Sequence, residues 1–180
     1  MRIFIGIPIS DEIREGIAKI SENFDIDGIK LVNPQNLHWT VKFFGDINKE
    51  TVNEIKEMMD RIELNSFDID IGGIGVFPSL SYIRTIWVGV LGEEKIFMNF
   101  LIELNEKFKK YGKENRHRIK PHLTIGRVKF IKDKEKLIKL VKMFERKYIG
   151  KMKINKISLF ESILTKNGPK YTTLKEVVLK

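Results

Sequence analysis

Two tetrapeptides constrain this chain more than any other feature: His38-Trp39-Thr40-Val41 and His122-Leu123-Thr124-Ile125. Each alternates a polar with an apolar residue. In a β-strand, residues i and i+2 point to the same face, about 7 Å apart. His38 and Thr40 therefore share one face while Trp39 and Val41 share the other, and the second string behaves identically. Each strand must bury an apolar face and leave an imidazole and a hydroxyl on the opposite one. The chain holds three histidines, and two of them belong to such a string. With 7 threonines among 180 residues, that doubling is rare by chance.

The surrounding pattern predicts strands and helices in mixed order. Residues 2–9 alternate as a strand. Ser10 is a helix N-cap, followed by Asp11 and Glu12 and by Ile13, Ile17 and Ile20 at helical spacing. Ile29–Val32 and Asn36–Gly45 read as strands around an Asn33-Pro34 turn. Asn48 caps a second helix with Val52, Ile55, Met59 and Ile62 on its apolar face. Phe67–Phe77 is a strand with a bulge or bend at Gly72-Gly73. A loop follows over residues 78–81, then the strand Tyr82–Val90. Glu93–Tyr111 is a helix burying Ile96, Phe97, Phe100, Leu101, Leu104 and Phe108. A basic loop, residues 113–120, leads through Pro121 into the strand His122–Phe130. A short helix then carries Leu137, Ile138, Val141 and Phe144. Lys151–Leu164 and Tyr171–Leu179 are strands joined by the turn Lys166-Asn167-Gly168-Pro169.

Two halves of about ninety residues thus each contain strands, two helices and one His-x-Thr strand. The expected architecture is α+β and bilobal: two pseudo-twofold-related halves of mostly antiparallel sheet, helices on the outer faces and a central cleft. No Pro- or Ser-rich linker divides the chain, so residues 1–180 are expected to form one domain. Nothing in the pattern calls for an oligomer, and a monomer is expected.

Composition narrows the chemistry. The absence of cysteine removes disulfides, Cys-ligated zinc and thiol nucleophiles together. The apolar start is too short for a secretory signal, and no apolar run approaches the roughly 20 residues of a membrane span. No membrane association and a cytoplasmic location are expected. A net charge of +9 favours anionic partners, nucleic acid first, although a lysine-rich composition alone produces the same excess.

If the halves meet across a pseudo-twofold axis, two imidazoles and two hydroxyls face one groove. Such a set suits phosphodiester chemistry. One imidazole removes a proton from a nucleophile while the other delivers one to the leaving oxygen. Thr40 and Thr124 are candidate donors to the non-bridging oxygens, where charge builds up. The bland alternative is two surface histidines beside two strand-forming threonines. A zinc site would need a third ligand from His117 or a carboxylate, and threonine is a poor one. Gly72-Gly73-Ile74-Gly75 lacks the Lys-Ser/Thr ending of a nucleotide-binding P-loop.

The doubled motif resembles the 2H phosphoesterases, and most of all their LigT-like RNA 2′,3′-cyclic phosphodiesterase branch, historically called 2′-5′ RNA ligases. That group carries two His-φ-Thr-φ strings some eighty to ninety residues apart; here His38 and His122 are 84 apart. The flanks are similar too: residues 2–7, Leu37, Lys42-Phe43-Phe44-Gly45, Pro121 and Gly126-Arg127. The resemblance implies metal-independent hydrolysis of RNA 2′,3′-cyclic phosphate ends to 2′-phosphates, with reverse 2′-5′ joining as a side activity. It implies no cofactor, and RNA partners among which tRNA fragments are one candidate. It implies His38 as proton donor, His122 as proton acceptor and Arg127 as a phosphate ligand. Simple alternation places Arg127 on the core side, so it reaches the groove only if the strand bends near Gly126.

Other readings stay open beside these. Lys42 shares the face of His38 and Thr40, either solvated or near the substrate backbone. Phe43, Trp39 and Tyr171 are each expected in core packing (for Tyr171, core or rim), with base stacking as the alternative for all three. Lys107, Lys109, Lys110, Lys113, Arg116, His117, Arg118 and Lys120, with only Glu114 against them, form a basic stretch suited to guiding RNA, or an ordinary exposed loop. A non-catalytic basic RNA-binding module and a 2H enzyme acting on a small cyclic nucleotide are the alternative functions.

Overall fold

The computed structural model describes residues 1–112, 119–166 and 168–180. Most of the expected basic loop, including His117, and Asn167 of the last turn lie outside the described residues.

The chain runs β1 (Arg2–Pro8), α1 (Asp11–Ser21), β2 (Ile29–Leu31), β3 (His38–Asp46), α2 (Lys49–Asp60), β4 (Phe67–Ser79), β5 (Tyr82–Gly92) and α3 (Glu94–Lys107). It continues through β6 (Leu123–Val128), α4 (Lys134–Met143), β7 (Tyr148–Ile154), β8 (Lys156–Thr165) and β9 (Gly168–Val178). The helix starts follow from local chemistry. The side chains of Ser10, Asn48 and Asp133 accept from the backbone N–H of Ile13, Thr51 and Lys136, satisfying otherwise orphaned donors.

Two antiparallel sheets form, in the orders β3-β1-β8-β9 and β2-β6-β5-β4-β7. Each sheet thus contains one of the two His-x-Thr strands, as the α+β, two-lobed expectation requires. The lobes are not the two sequential halves, however. β4 and β5 from the first half join β6, while β8 and β9 from the end of the chain join β1. The helices cross over as well: α1 packs on β6 and β7, and α3 packs on β3. The apolar faces merge into one core that includes Ile3, Ile5, Ile7, Ile17, Trp39, Phe97, Leu104, Leu123, Ile125, Ile157 and Leu159.

Three sequence expectations need correction. The predicted strand Lys151–Leu164 is two strands broken at Asn155 and placed in different sheets. The buried positions change parity there, from Met152 and Ile154 to Ile157 and Leu159, so one continuous strand could not bury both pairs on one face. Ile96 is 48% exposed. The buried stripe of α3 runs through Phe97, Leu101 and Leu104, with Phe108 just beyond, and Ile96 falls at its rim in the first turn. Pro78 and Ser79 belong to β4 rather than to a loop. The bend expected at Gly72-Gly73 is present as a register shift between β4 and β5.

Candidate active site

The face of each His-x-Thr strand turned away from the core borders one cleft of about 500 Å³. His38, Thr40, His122, Thr124 and Arg127 all line it, together with Lys30, Asn36, Phe43, Lys120 and Tyr171. Among the described residues no carboxylate does. The charges on the cleft are therefore all positive, set beside apolar walls that include Leu31, Val32, Phe43 and Ile119, an environment suited to an anion carried on an organic ligand.

The same local device sets both strands. In β3, Gly6 pairs with Thr40 and Ile5 with Lys42, which leaves Val41 as an extra residue. In β6, Trp87 pairs with Thr124 and Ile86 with Gly126, which leaves Ile125 extra. Each strand thus bulges at the residue directly after the threonine. A bulge shifts the alternation by one, so the third residue past each threonine, Phe43 or Arg127, turns onto the cleft face. The carbonyls at the two bulges are both satisfied. Buried Asn105 on α3 donates to the Val41 carbonyl at 2.9 Å, and the Val32 N–H donates to the Ile125 carbonyl at 2.8 Å.

The bend that Arg127 required is therefore present, and its side chain is exposed on the cleft. The bulge in β3 alters two other expectations. Lys42 is not solvated but buried at 3% exposure opposite core residue Ile5, and it still lines the cleft. Phe43, read as core, is 56% exposed and lies opposite Phe4. Trp39 is in the core as expected.

Both imidazoles are oriented alike. His38 Nδ1 donates to the Asn36 carbonyl at 2.7 Å, and His122 Nδ1 donates to the Lys120 carbonyl at 2.7 Å. A carbonyl can only accept, so Nδ1 carries the hydrogen in both rings and Nε2 is left for chemistry. The Thr40 hydroxyl and His38 Nε2 are 3.1 Å apart, with the hydroxyl donating while the ring is neutral. Aromatic walls hold the rings. Phe4 and Tyr171 flank His38 at centroid distances of 4.8 and 5.2 Å, and Phe77 meets His122 edge-on at 5.0 Å. Asn36 also acts through its side chain, whose amide donates to the Pro169 carbonyl at 2.8 Å and ties the β8–β9 turn to the cleft rim.

Burial pushes both histidines below the ordinary imidazole value. For His38 the Asn36 carbonyl acts weakly the other way. For His122 the Lys120 carbonyl also opposes burial, while the charges of Arg127 and then Lys120 lower it further. Burial raises the Tyr171 phenol, with Arg127 and Arg2 acting against it.

Sequence reasoning missed several cleft residues. Lys30 sits on a three-residue strand and enters because it pairs with Arg127 across β2 and β6. The carbonyls of Asn36 and Lys120 carry no side-chain signal, although each stands two residues before its histidine. The basic stretch divides. Lys107, Lys109 and Lys110 pair with Glu103, Glu106 and Glu54. Lys120 borders the cleft, and Lys113, Arg116 and Arg118 lie outside the described residues.

This two-sheet fold is shared with several solved structures. Over 99% of this chain, TT0787 of Thermus thermophilus superposes with a TM-score of 0.80 at 22% identity, covering 97% of that chain. E. coli LigT in its apo form does so with a TM-score of 0.77 at 21% identity, covering 96% of that chain. The chain belongs to the LigT-like phosphoesterase family, whose model matches residues 7–87 and 97–171. It is 39% identical to the RNA 2′,3′-cyclic phosphodiesterase of Methanocaldococcus jannaschii, over 98% of this chain and 99% of that one. It is 34% identical to the protein of that name from Methanothermobacter thermautotrophicus, over 97% and 96%. No helix among the described residues is long and apolar enough to cross a membrane.

Proposed function

We propose that this protein hydrolyses RNA 2′,3′-cyclic phosphate ends to 2′-phosphates by a two-histidine mechanism that needs no metal. One observation carries the reading: two imidazoles, each with Nδ1 anchored on a carbonyl so that Nε2 is the nitrogen left for proton transfer, border one cleft that also holds Lys30, Lys120 and Arg127. The names of the relatives support the substrate class.

The cyclic phosphate lies between the lobes. Its non-bridging oxygens accept hydrogen bonds from Thr40, Thr124 and Arg127, which strengthen as charge builds up. His122, neutral at Nε2, takes a proton from water as the water oxygen attacks phosphorus. The P–O3′ bond breaks, and His38 gives its Nε2 proton to the departing O3′. The product keeps a 2′-phosphate, and solvent returns the histidines to their starting states. The bound phosphate anion favours the protonated form of His38, offsetting the burial that disfavours it in the empty site. When the 5′-hydroxyl of a second RNA takes the place of water, His122 removes its proton, the P–O3′ bond again breaks with His38 protonating O3′, and the product is a 2′-5′ linkage. Residues 1–180 act as one catalytic domain and as a monomer, since both motifs come from the same chain. The RNA pool includes cleaved tRNA, and the setting is the cytoplasm.

The test is turnover of an RNA oligomer with a 2′,3′-cyclic phosphate end in the presence of EDTA. Turnover is expected to persist. His38→Ala and His122→Ala are each expected to lose about 100- to 10,000-fold in kcat, the usual worth of a general acid or base. Full activity in either variant, or complete loss with EDTA that added metal restores, overturns the proposal. A mononucleotide preferred over oligomers would favour a small cyclic nucleotide as substrate. Salt-sensitive RNA binding without turnover would favour a non-catalytic module.

A further inference from the structure

Beyond the cleft, the same face of the second sheet holds a second hollow that the chemistry above does not use. It has a volume of about 360 Å³ and is floored by Gly72, Gly73, Gly75 and Gly89 beside Trp87. Lys120 borders both this hollow and the cleft, so the two adjoin. The strand register explains the arrangement. Trp87 pairs with Thr124 on one side and Gly75 on the other, and directly opposed residues point the same way. The indole thus lies on the face that presents Thr124 to the cleft.

The glycines are there for the indole. A Cβ on Gly75 would stand 2.2 Å from Trp87 Cζ2, and one on Gly89 would stand 2.9 Å from Cζ3. Only backbone without side chains lets the ring lie down on the sheet, and Phe77 braces it at 5.1 Å. Lys120 Nζ sits 4.7 Å from the ring centroid. The indole N–H is buried and, among the described residues, meets no acceptor. A flat indole beside the cationic cleft, its ring covered by one lysine ammonium, offers a surface on which a base can stack.

We propose that Trp87 and its glycine floor form a subsite for the nucleobase that precedes the cyclic-phosphate nucleotide in the RNA chain. This rests on the proposed function and deepens it, making an RNA strand rather than a free cyclic nucleotide the preferred substrate. The incoming base takes the place of the Lys120 ammonium on the indole, and the ammonium moves to the phosphate linking the two nucleotides. Glu94 and Glu145 border the hollow and disfavour a phosphate there, whereas a base can offer them its amino group.

The experiment compares kcat/KM for an adenine dinucleotide ending in a 2′,3′-cyclic phosphate with that for the cyclic mononucleotide, in the unaltered protein and in Trp87→Leu. The unaltered protein is expected to prefer the dinucleotide, and the substitution to cut that preference about tenfold, the effect of one lost base stack. An equal fall for both substrates means that Trp87 only supports the fold, and overturns the subsite. Binding gives an independent readout. The chain has two tryptophans, and Trp39 is buried. A dinucleotide ending in a 2′-phosphate is expected to quench the fluorescence of the unaltered protein, and to quench Trp87→Phe far less. Absence of quenching, or equal quenching in both, overturns the subsite. Quenching without hydrolysis of either substrate leaves the subsite standing and removes the proposed chemistry instead.

Discussion

Arg127→Gln tests whether the bulge in β6 has a catalytic purpose. Arg127 is exposed on its strand, so the substitution should leave folding within about 0.5 kcal/mol of the unaltered protein. Two separate effects on activity are expected. Losing a charged hydrogen bond to the phosphate costs about 1.5–3 kcal/mol, or roughly a 10- to 150-fold fall in kcat/KM. The second effect is on pH dependence. His122 must be neutral to accept a proton, so the acidic limb of the kcat/KM profile reports its ionisation in the free enzyme. The Arg127 charge disfavours the His122 imidazolium and holds its pKa down. Removing that charge lets the pKa rise, and the acidic limb moves to higher pH. The assay is hydrolysis of a cyclic-phosphate substrate from about pH 4.5 to 8.5. A limb that stays in place or moves to lower pH refutes the assignment of His122 as the base influenced by Arg127. An unchanged kcat/KM refutes the phosphate contact.

Other consequences follow from the same geometry. Asn105→Leu should destabilise the fold by about 1–3 kcal/mol, because the Val41 carbonyl at the bulge loses its buried donor; an unchanged denaturant midpoint would show that the bulge does not need it. Lys30→Glu should raise KM for RNA several-fold and flatten its dependence on salt, since it reverses a charge opposite Arg127. A steep, unaltered salt slope would place RNA elsewhere. His38 also makes stability pH-dependent. Its folded pKa lies below the unfolded value near 6.5, so the unfolded chain binds more protons in that window. Stability is complete above about pH 6.5 and falls as pH drops toward the folded pKa. His38→Gln should therefore lose less Tm than the unaltered protein between pH 7.5 and 5.5, and an equal loss would argue against a buried neutral His38.

The motif pair, the strand character of both strings and the caps at Ser10 and Asn48 were legible because they depend on neighbours within a few residues. Alternation decides which side of a strand is apolar, and a capping side chain reaches only to its own first turn. The α+β class followed from the same short-range patterns. Arg127, Lys42 and Phe43 were different. Their facing depends on one unpaired residue in each of two strands, and a bulge is defined only against the partner strand it fails to match. Alternation counted along the chain therefore gave the wrong face for Arg127 and Phe43, and it missed the burial of Lys42 beside Ile5, although Lys42 still lines the cleft. The sheet membership of β4, β5, β8 and β9 was hidden for a related reason. Strand pairing is a long-range choice, and the sequence separates residues that the sheets place side by side. The break at Asn155 left a trace, in the parity change between Ile154 and Ile157, but its meaning needed two sheets to be seen.

The sequence by itself determined that two His-x-Thr strands must each turn an imidazole and a hydroxyl away from a buried face. Tertiary structure decided that both faces border one cleft, that a backbone carbonyl holds Nδ1 of each ring, and that Arg127 and Phe43 turn inward. The first kind of fact rests on the period of a strand, which any short stretch of residues carries. The second rests on which backbone carbonyl and which neighbouring strand lie opposite, and those partners are chosen only when the whole core closes.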